Sequence, residues 1–357
     1  MSYRSARGDT GQMITYELSD KEASAVKTLT AEISRRFGSV EDEEFLERAL
    51  TRAQELPEGL RDFLNTFRLT EKSAACVISG YPVDDSTIGP TPSHWIERTV
   101  ARTLEVDIYF FLCASLLGDP VAWSTQQDGR IMHDVLPIKS HEFEQLGTGS
   151  MELLTWHIEE AFHPLRADYI GLFCLRNPDG VETTYATIDD LLRGRGLSDE
   201  VASMLREPIF PIRPDRSHLP ANRGSVQLAG KSAELTQKCY EWIMAIDQDP
   251  EKVPILYGAE EAPYLRLDPY FMDKTASDVR ASRALNEICR LIDANLKSHS
   301  LASGEILFLD NYRAVHGRKA FLARFDGTDR WLKRLNVTRD LRKSRARRIN
   351  AASRIIY

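Results

Sequence analysis

Two stretches of the sequence carry residues able to hold a metal ion together. The first is Thr155-Trp-His157-Ile-Glu159-Glu160. Side chains alternate faces on an extended segment, so His157 and Glu159 project to one side and can grip one ion. That tripeptide alone is common by chance. Far downstream, Asp310-Asn-Tyr-Arg-Ala-Val-His316-Gly-Arg318 follows a strand-like run and supplies a second imidazole. Two histidines and one carboxylate make the facial triad of non-haem Fe(II) oxygenases, which leaves positions open on one face of the metal. A bidentate 2-oxo acid and then O2 would take those positions. The distal carboxylate of 2-oxoglutarate calls for a planar bidentate cation, hence arginine. Arg330 and Arg334 stand four apart and face the same way on a strand. One would serve the oxo acid and the other a substrate carboxylate.

Such residues need a frame. Ser19-x-x-Glu22 offers a capping box, followed at helical spacing by Ala23, Val26, Leu29, Ile33 and Phe37. Residues 45–53, 60–67 and 98–117 also read as helices, and 74–79 as a short strand. After Pro120 the texture changes to short apolar runs between turn residues: 169–175, 183–188, 208–212, 253–257, 305–309 and 332–337. Evenly spread short strands predict a sandwich or jelly roll. One long helix, about 276–298, interrupts them, with Val279, Leu285, Ile288, Ile292 and Leu296 on its apolar face. The simplest organisation is one domain over 1–357. It has a flexible lead-in (1–15), a helical buttress (about 16–120), a β core (about 121–340) and a solvated basic tail (341–357).

Composition narrows the function classes. The 357 residues are 42% apolar and 28% charged, and a chain of this size buries a core without disulfides. A net charge of −7, from 46 basic and 53 acidic residues, argues against a nucleic-acid partner. The longest apolar run, Ile108–Leu117, falls short of the roughly 18–20 residues of a membrane helix. Five cysteines without CxxC spacing read as reduced core thiols. No export signal is visible, and a cytoplasmic protein is expected.

The motifs together resemble the clavaminate synthase-like, taurine dioxygenase-related family of Fe(II)/2-oxoglutarate oxygenases. They are Thr155 to Tyr169, Asn177 to Thr184, Asn311 to Arg318, and Arg330-Trp-Leu-Lys-Arg334, in order and at compatible spacing. Thr125 to Arg130 and Asp134 to Lys139 fit, more narrowly, the hydroxylases of free arginine found in viomycin-type biosynthesis. The resemblance covers about residues 80–345. It implies an α+β class with a mainly β core, a double-stranded β-helix flanked by helices. It also implies Fe(II), with 2-oxoglutarate and O2 as co-substrates.

Carried over by position, His157, Glu159 and His316 match the iron ligands. Arg330 matches the 2-oxoglutarate arginine, with Thr184 as its hydroxyl partner. Arg334 matches the arginine on the amino acid's α-carboxylate. Gln126 or Gln127 matches the glutamine near the α-amine, and Glu159 also counts among the substrate contacts. His133 and His163 read as structural.

Asp215 and Asp268 match carboxylates that hold a guanidinium, which is costly to bury unpaired. Tyr270 stands where the viomycin-type enzymes have a further aspartate. Exchanging an anion for a phenol leaves room for citrulline, for attack at Cγ instead of Cβ, or for desaturation. The resemblance therefore implies hydroxylation of a free amino acid, foremost L-arginine, for natural-product biosynthesis. No nucleic acid or membrane takes part. Two rivals stand beside it: a zinc- or manganese-dependent cupin-like enzyme, and a non-catalytic ligand-binding relative. For the first, Glu160 is the only spare acid beside the triad, and alternation should turn it away from the metal.

Overall fold

The computed structural model describes residues 12–193, 196–220, 230–272 and 278–357. Strand β1 (Ile14–Glu17) opens it, so residues 14 and 15 join a sheet and correct the expected lead-in; residues 1–11 lie outside the described set. Helices α1 (Asp20–Ser34), α2 (Glu43–Ala53) and α3 (Glu58–Thr70) follow. The capping box sets the start of α1: Ser19 Oγ accepts from Glu22 N, and Ser19 N donates to Glu22 Oε2 at 2.9 Å. Strand β2 (Ala75–Ser79) and helix α4 (Val100–Ser115) complete the first third.

Five strands come next: β3 (Asp119–Trp123), β4 (His133–Val135), β5 (Leu154–His157), β6 (Tyr169–Arg176) and β7 (Thr183–Thr187). An insert carries α5 (Ile188–Arg193), α6 (Asp199–Leu205), α7 (Gly230–Gln248) and α8 (Val279–Ala294). The chain then returns through β8 (Lys297–His299), β9 (Ile306–Asp310), β10 (Ala314–Arg318), β11 (Trp331–Thr338) and β12 (Ile355–Ile356).

The large sheet runs β1-β2-β9-β6-β11-β3-β12, with β4 also paired to β11, and the small sheet runs β8-β7-β10-β5. They face each other as a double-stranded β-helix. Alternation along the strands assigns the layers. Val77, Leu172, Leu307 and Leu332 point between the sheets and meet Tyr185 and Ala314 of the small one. Ile78, Phe173, Phe308 and Leu335 point outward and are covered by helices α1 to α4. The outer face of the small sheet is covered by the insert through Ile188, Leu205, Leu285 and Ile288. A helix-flanked β core, α+β overall, is the result.

A charged cluster is built into the outer layer. Lys333, fully buried, lies 2.7 Å from Asp134 Oδ1 and 3.4 Å from Asp107 Oδ1, and Arg98 reaches Asp134 Oδ2 at 3.0 Å. It ties α4 and β4 to β11, the strand that carries Arg334.

Three sequence expectations change. The long helix ends at Ala294 and Leu296 falls beyond it, while residues 297–299 pair with β7; Val279 is 80% exposed, and residues 276–277 lie outside the described set. The run 253–257 breaks at Pro254, which has no N–H for a ladder, into Lys252–Val253 and Leu256–Gly258. The basic tail is solvated only in part: Arg342, Lys343, Arg345 and Arg347 are exposed, but Arg348 and β12 are docked. The Arg348 guanidinium donates to the carbonyls of Leu341, Asn350, Ala351 and Ser353, and β12 pairs in parallel with β3. An arginine carries five donors, and here folded-back backbone takes up those of both Nη atoms.

Candidate functional site

Strands β5 and β10 are antiparallel neighbours with His157 directly opposite His316. Opposed residues share a face, so the two imidazoles stand side by side with ring centroids 4.7 Å apart. Gly317 permits this approach: a Cβ there would sit 2.5 Å from Leu154 O. Glu159 follows β5 and turns its Oε2 to both rings, 3.4 Å from His157 Nε2 and 3.5 Å from His316 Nε2. One ligand atom from each of the three residues lies within 4.8 Å of the others.

The backbone of Glu159 is held by a residue outside the expected site set. Asn311 accepts from Glu159 N at 2.9 Å and donates to Glu159 O at 3.0 Å, so one amide fixes the ligand loop to the turn between β9 and β10. Its signal was only its place five residues before His316.

The donor set fits a divalent metal of the iron type. His157 Nδ1 is bonded to Thr155 O at 2.8 Å, which leaves Nε2 free to ligate. Glu159 Oε1 accepts from Arg334 while Oε2 faces the imidazoles. Burial alone would raise the Glu159 carboxyl, but Arg334 and the two histidines hold it well below the ordinary range. The group is therefore an ionised carboxylate ready for a cation.

Arg330, Arg334 and Leu332 line the same cavity from β11 and the residue before it. Arg330 is 6% exposed, and no hydrogen bond or ion pair reaches its guanidinium among the described residues. Burial pushes it down to about 10. A buried cation without a counter-charge is a site for an anion. Arg318 lies nearby, its guanidinium donating to the carbonyls of Ser150, Glu152 and Lys319.

The structure corrects the expected hydroxyl. Thr184 is opposite Gly317 and shares its face, whereas Thr183 is opposite Arg318 and shares the face of the cavity. Thr183 lines the cavity with its Oγ1 buried and unpartnered among the described residues. Strand alternation from His316 held this information.

Arg334 donates to Glu159 Oε1, to His133 Nδ1 at 2.8 Å and to Gln126 Oε1 at 3.3 Å. His133 is thus a support of this site: burial and Arg334 hold it well below the usual imidazole range, so it is neutral and accepts. His163 is a core residue, packed against Trp123, Phe162 and Trp242. The two glutamines separate. Gln126 turns to Arg334, while Gln127 is spent on the backbone of Asp134, donating to its carbonyl at 2.9 Å and accepting from its N–H at 3.1 Å. Glu160, at a positive φ of 55°, turns from the triad to Gln126 and His218 but still lines the cavity.

Two loops close the opposite wall. Ile158 N donates to Leu267 O at 3.0 Å, which brings Asp268 beside the triad. Arg213 N donates to Phe271 O at 2.9 Å, which joins the segment carrying Asp215 to the one carrying Asp268 and Tyr270. Asp268 is buried with no cation in salt-bridge reach among the described residues, and burial raises its carboxyl to about 6. Asp215 is half-buried and Tyr270, 45% exposed, stands at the rim. The cavity therefore offers two arginines four residues apart along and just before β11, a metal-ligand triad, and two further carboxylates.

Comparison with known proteins agrees with this arrangement. Residues 240–336 match the model of the taurine catabolism dioxygenase TauD, TfdA family. The chain is 46% identical to an enduracididine beta-hydroxylase of Streptomyces hygroscopicus, over 97% of this chain and 100% of that one. It is 44% identical to an L-ornithine/L-arginine 3-hydroxylase of Catenulispora acidiphila, over 93% and 96% of the two chains. The crystal structure of the non-heme iron oxygenase OrfP with Fe, succinate and (3S)-hydroxy-L-Arg superposes with a TM-score of 0.89. That match is 43% identical and covers 96% of this chain and 99% of that one.

Proposed function

Because this chain belongs to the clavaminate synthase-like, TauD-related family of Fe(II)/2-oxoglutarate-dependent oxygenases, we propose that it hydroxylates free L-arginine at Cβ. Succinate and CO2 are the by-products, and the hydroxylated amino acid serves peptide natural-product biosynthesis. The position follows the relatives, named as a beta-hydroxylase and a 3-hydroxylase.

In this reading His157, Glu159 and His316 hold Fe(II). The iron, with 2-oxoglutarate and O2, supplies the oxidant for an unactivated C–H bond. Every other task belongs to the chain. Arg330 and Thr183 bind the distal carboxylate of 2-oxoglutarate, so that its keto acid end reaches the triad. Arg334 binds the α-carboxylate of the amino acid. Gln126 offers its carbonyl oxygen to the α-amine, and Gln127 only braces β4. Asp268 and Asp215 take the guanidinium, with the Tyr270 phenol at the rim. Holding both ends of the substrate leaves its middle carbons facing the triad, and orientation then chooses the carbon.

The observation that carries this proposal is Arg330, a buried guanidinium without a partner among the described residues, in the cavity of a two-histidine, one-glutamate cluster. A zinc-type hydrolase would have no need of it.

The same wall admits other guanidino amino acids. Tyr270 replaces an anion, so the cyclic guanidine of enduracididine and the neutral ureido group of citrulline are second candidates. The test is a mass-spectrometric assay with Fe(II), ascorbate, 2-oxoglutarate and each amino acid. Addition of one oxygen to arginine with matching succinate is expected. Absence of coupled turnover with arginine, enduracididine, citrulline, lysine and asparagine would overturn a free amino-acid substrate. Loss of two hydrogens would replace hydroxylation by desaturation.

A further inference from the structure

Gln126 stands in a ring of hydrogen-bonded side chains, of which Thr125, Glu160, Ser217 and His218 have no part yet in the proposed chemistry. Gln126 Nε2 donates to Glu160 Oε1 at 2.6 Å and to Ser217 Oγ at 2.6 Å. Glu160 Oε2 is paired with His218 Nε2, and His218 Nδ1 is bonded at 2.6 Å to Oγ1 of Thr125, the residue before Gln126. Thr125, Gln126, Glu160 and His218 are all buried, His218 completely. Ser217 Oγ hands on to the Asp215 carboxylate, so the ring also reaches the far wall of the cavity.

The two ends of a carboxamide are not equivalent. Both hydrogens of Gln126 Nε2 have an acceptor, and Oε1 faces Arg334 Nη2 at 3.3 Å. A flipped amide would set its oxygen against the Glu160 carboxylate and its hydrogens against Arg334, losing both of those bonds. Glu160 can enforce the observed pose only while its own oxygens are aimed, and His218, clamped by Thr125, aims them.

We propose that His218 is a positioning residue. Acting through Glu160, it fixes the Gln126 amide with its carbonyl toward the substrate, so that the site selects an α-amino acid over the same acid without its amine. The proposal rests on the reading of Gln126 as the α-amine contact, and its test separates the two.

The measurement is calorimetric binding to the anaerobic protein loaded with Fe(II) and 2-oxoglutarate. The ligands are L-arginine and 5-guanidinopentanoic acid, which lacks only the α-amine. For His218→Asn, whose shorter side chain cannot span Thr125 and Glu160, the Kd for L-arginine should rise about tenfold, the worth of one hydrogen bond to a charged group. The Kd for the des-amino acid should change less than about twofold. Thr125→Val removes the clamp at near-constant volume and should shift the ratio in the same direction; it carries the test if His218→Asn does not fold. Equal weakening of both ligands, or an unchanged ratio, overturns the role of His218. Gln126→Leu is the control for the underlying reading. If it leaves the ratio unchanged, Gln126 does not hold the amine. If it abolishes the preference while the His218 and Thr125 variants keep it, only the positioning role fails.

Discussion

Arg334 and Glu159 share a contact that divides one carboxylate between two tasks: Arg334 donates to Oε1, and Oε2 faces His157 and His316 at 3.4 and 3.5 Å. Under the proposed function the arginine would therefore orient a metal ligand as well as bind the substrate carboxylate. Arg334→Leu should raise the KM for L-arginine about 100-fold, since bonds between charged groups contribute roughly 1.5–3 kcal/mol. It should also weaken Fe(II) about tenfold, as loss of an orienting partner does. Steady-state kinetics and Fe(II) titration of the metal-free protein check the two effects separately.

Arg330 and Thr183 are expected to act on the co-substrate alone. Arg330→Met should raise the KM for 2-oxoglutarate by about 100-fold or more, with the KM for L-arginine within about threefold. Thr183→Val should raise the 2-oxoglutarate KM about fivefold. Thr184→Val, on the other face of the strand, should leave it within about twofold. A reversed order of the two threonines would refute the face assignment.

Asp268 faces the cavity with no cation in salt-bridge reach among the described residues. Asp268→Asn should lower kcat/KM for L-arginine about 100-fold, because a guanidinium would be buried without its counter-charge. Citrulline, which is neutral, should lose less than about tenfold. Competition between the two substrates, read by mass spectrometry, measures the ratio directly.

Lys333 is fully buried between Asp107 and Asp134. Its removal strands carboxylates in the core, so Lys333→Met should destabilise the fold by about 3–5 kcal/mol. Denaturant unfolding checks the value. Replacing Lys333, Asp107 and Asp134 together by apolar residues of similar volume should recover much of that loss.

Asp310 gives a pH dependence away from the metal ligands. Burial raises its carboxyl to about 7, with the Tyr312 N–H and Arg313 offsetting only part of the cost. A carboxyl raised on folding contributes stability below its unfolded range, and the contribution is lost as pH rises through about 7. Asp310→Asn should therefore exceed the parent Tm at pH 8 by about 2 °C or more and show no gain at pH 5. Thermal scans at the two pH values decide it.

Much of this site could be read from types and spacing, because iron ligation and carboxylate binding demand particular side chains. His157, Glu159, His316, Arg330 and Arg334 meet in one cavity as their motifs implied. What escaped is what depends on facing. Thr183 and Thr184 differ only in which side of β7 they occupy, and that is fixed by pairing to β10. Gln126 and Gln127 differ only through a turn with positive φ at Gln127 and Asp128. Asn311, His133 and His218 serve by holding other residues, and no motif announces that. For the fold, short strands marked by alternating apolar runs were legible. The helices of the insert and the docking of residues 341–357 rest on contacts distant in sequence, which local periodicity cannot report.

The docked strand β12 has a further implication. β3 runs toward Gln126 with β11 on one side and residues 355–356 on the other, and Ser124 N donates to Ile356 O at 2.9 Å. The large sheet also begins with β1 and takes β9 beside β2. A nascent chain therefore cannot complete this edge of the sheet when β3 emerges from the ribosome; the segment that backs Gln126 comes far later in the chain. Maturation of this protein must wait for distant partners, as expected for topologies in which pairing spans most of the polypeptide.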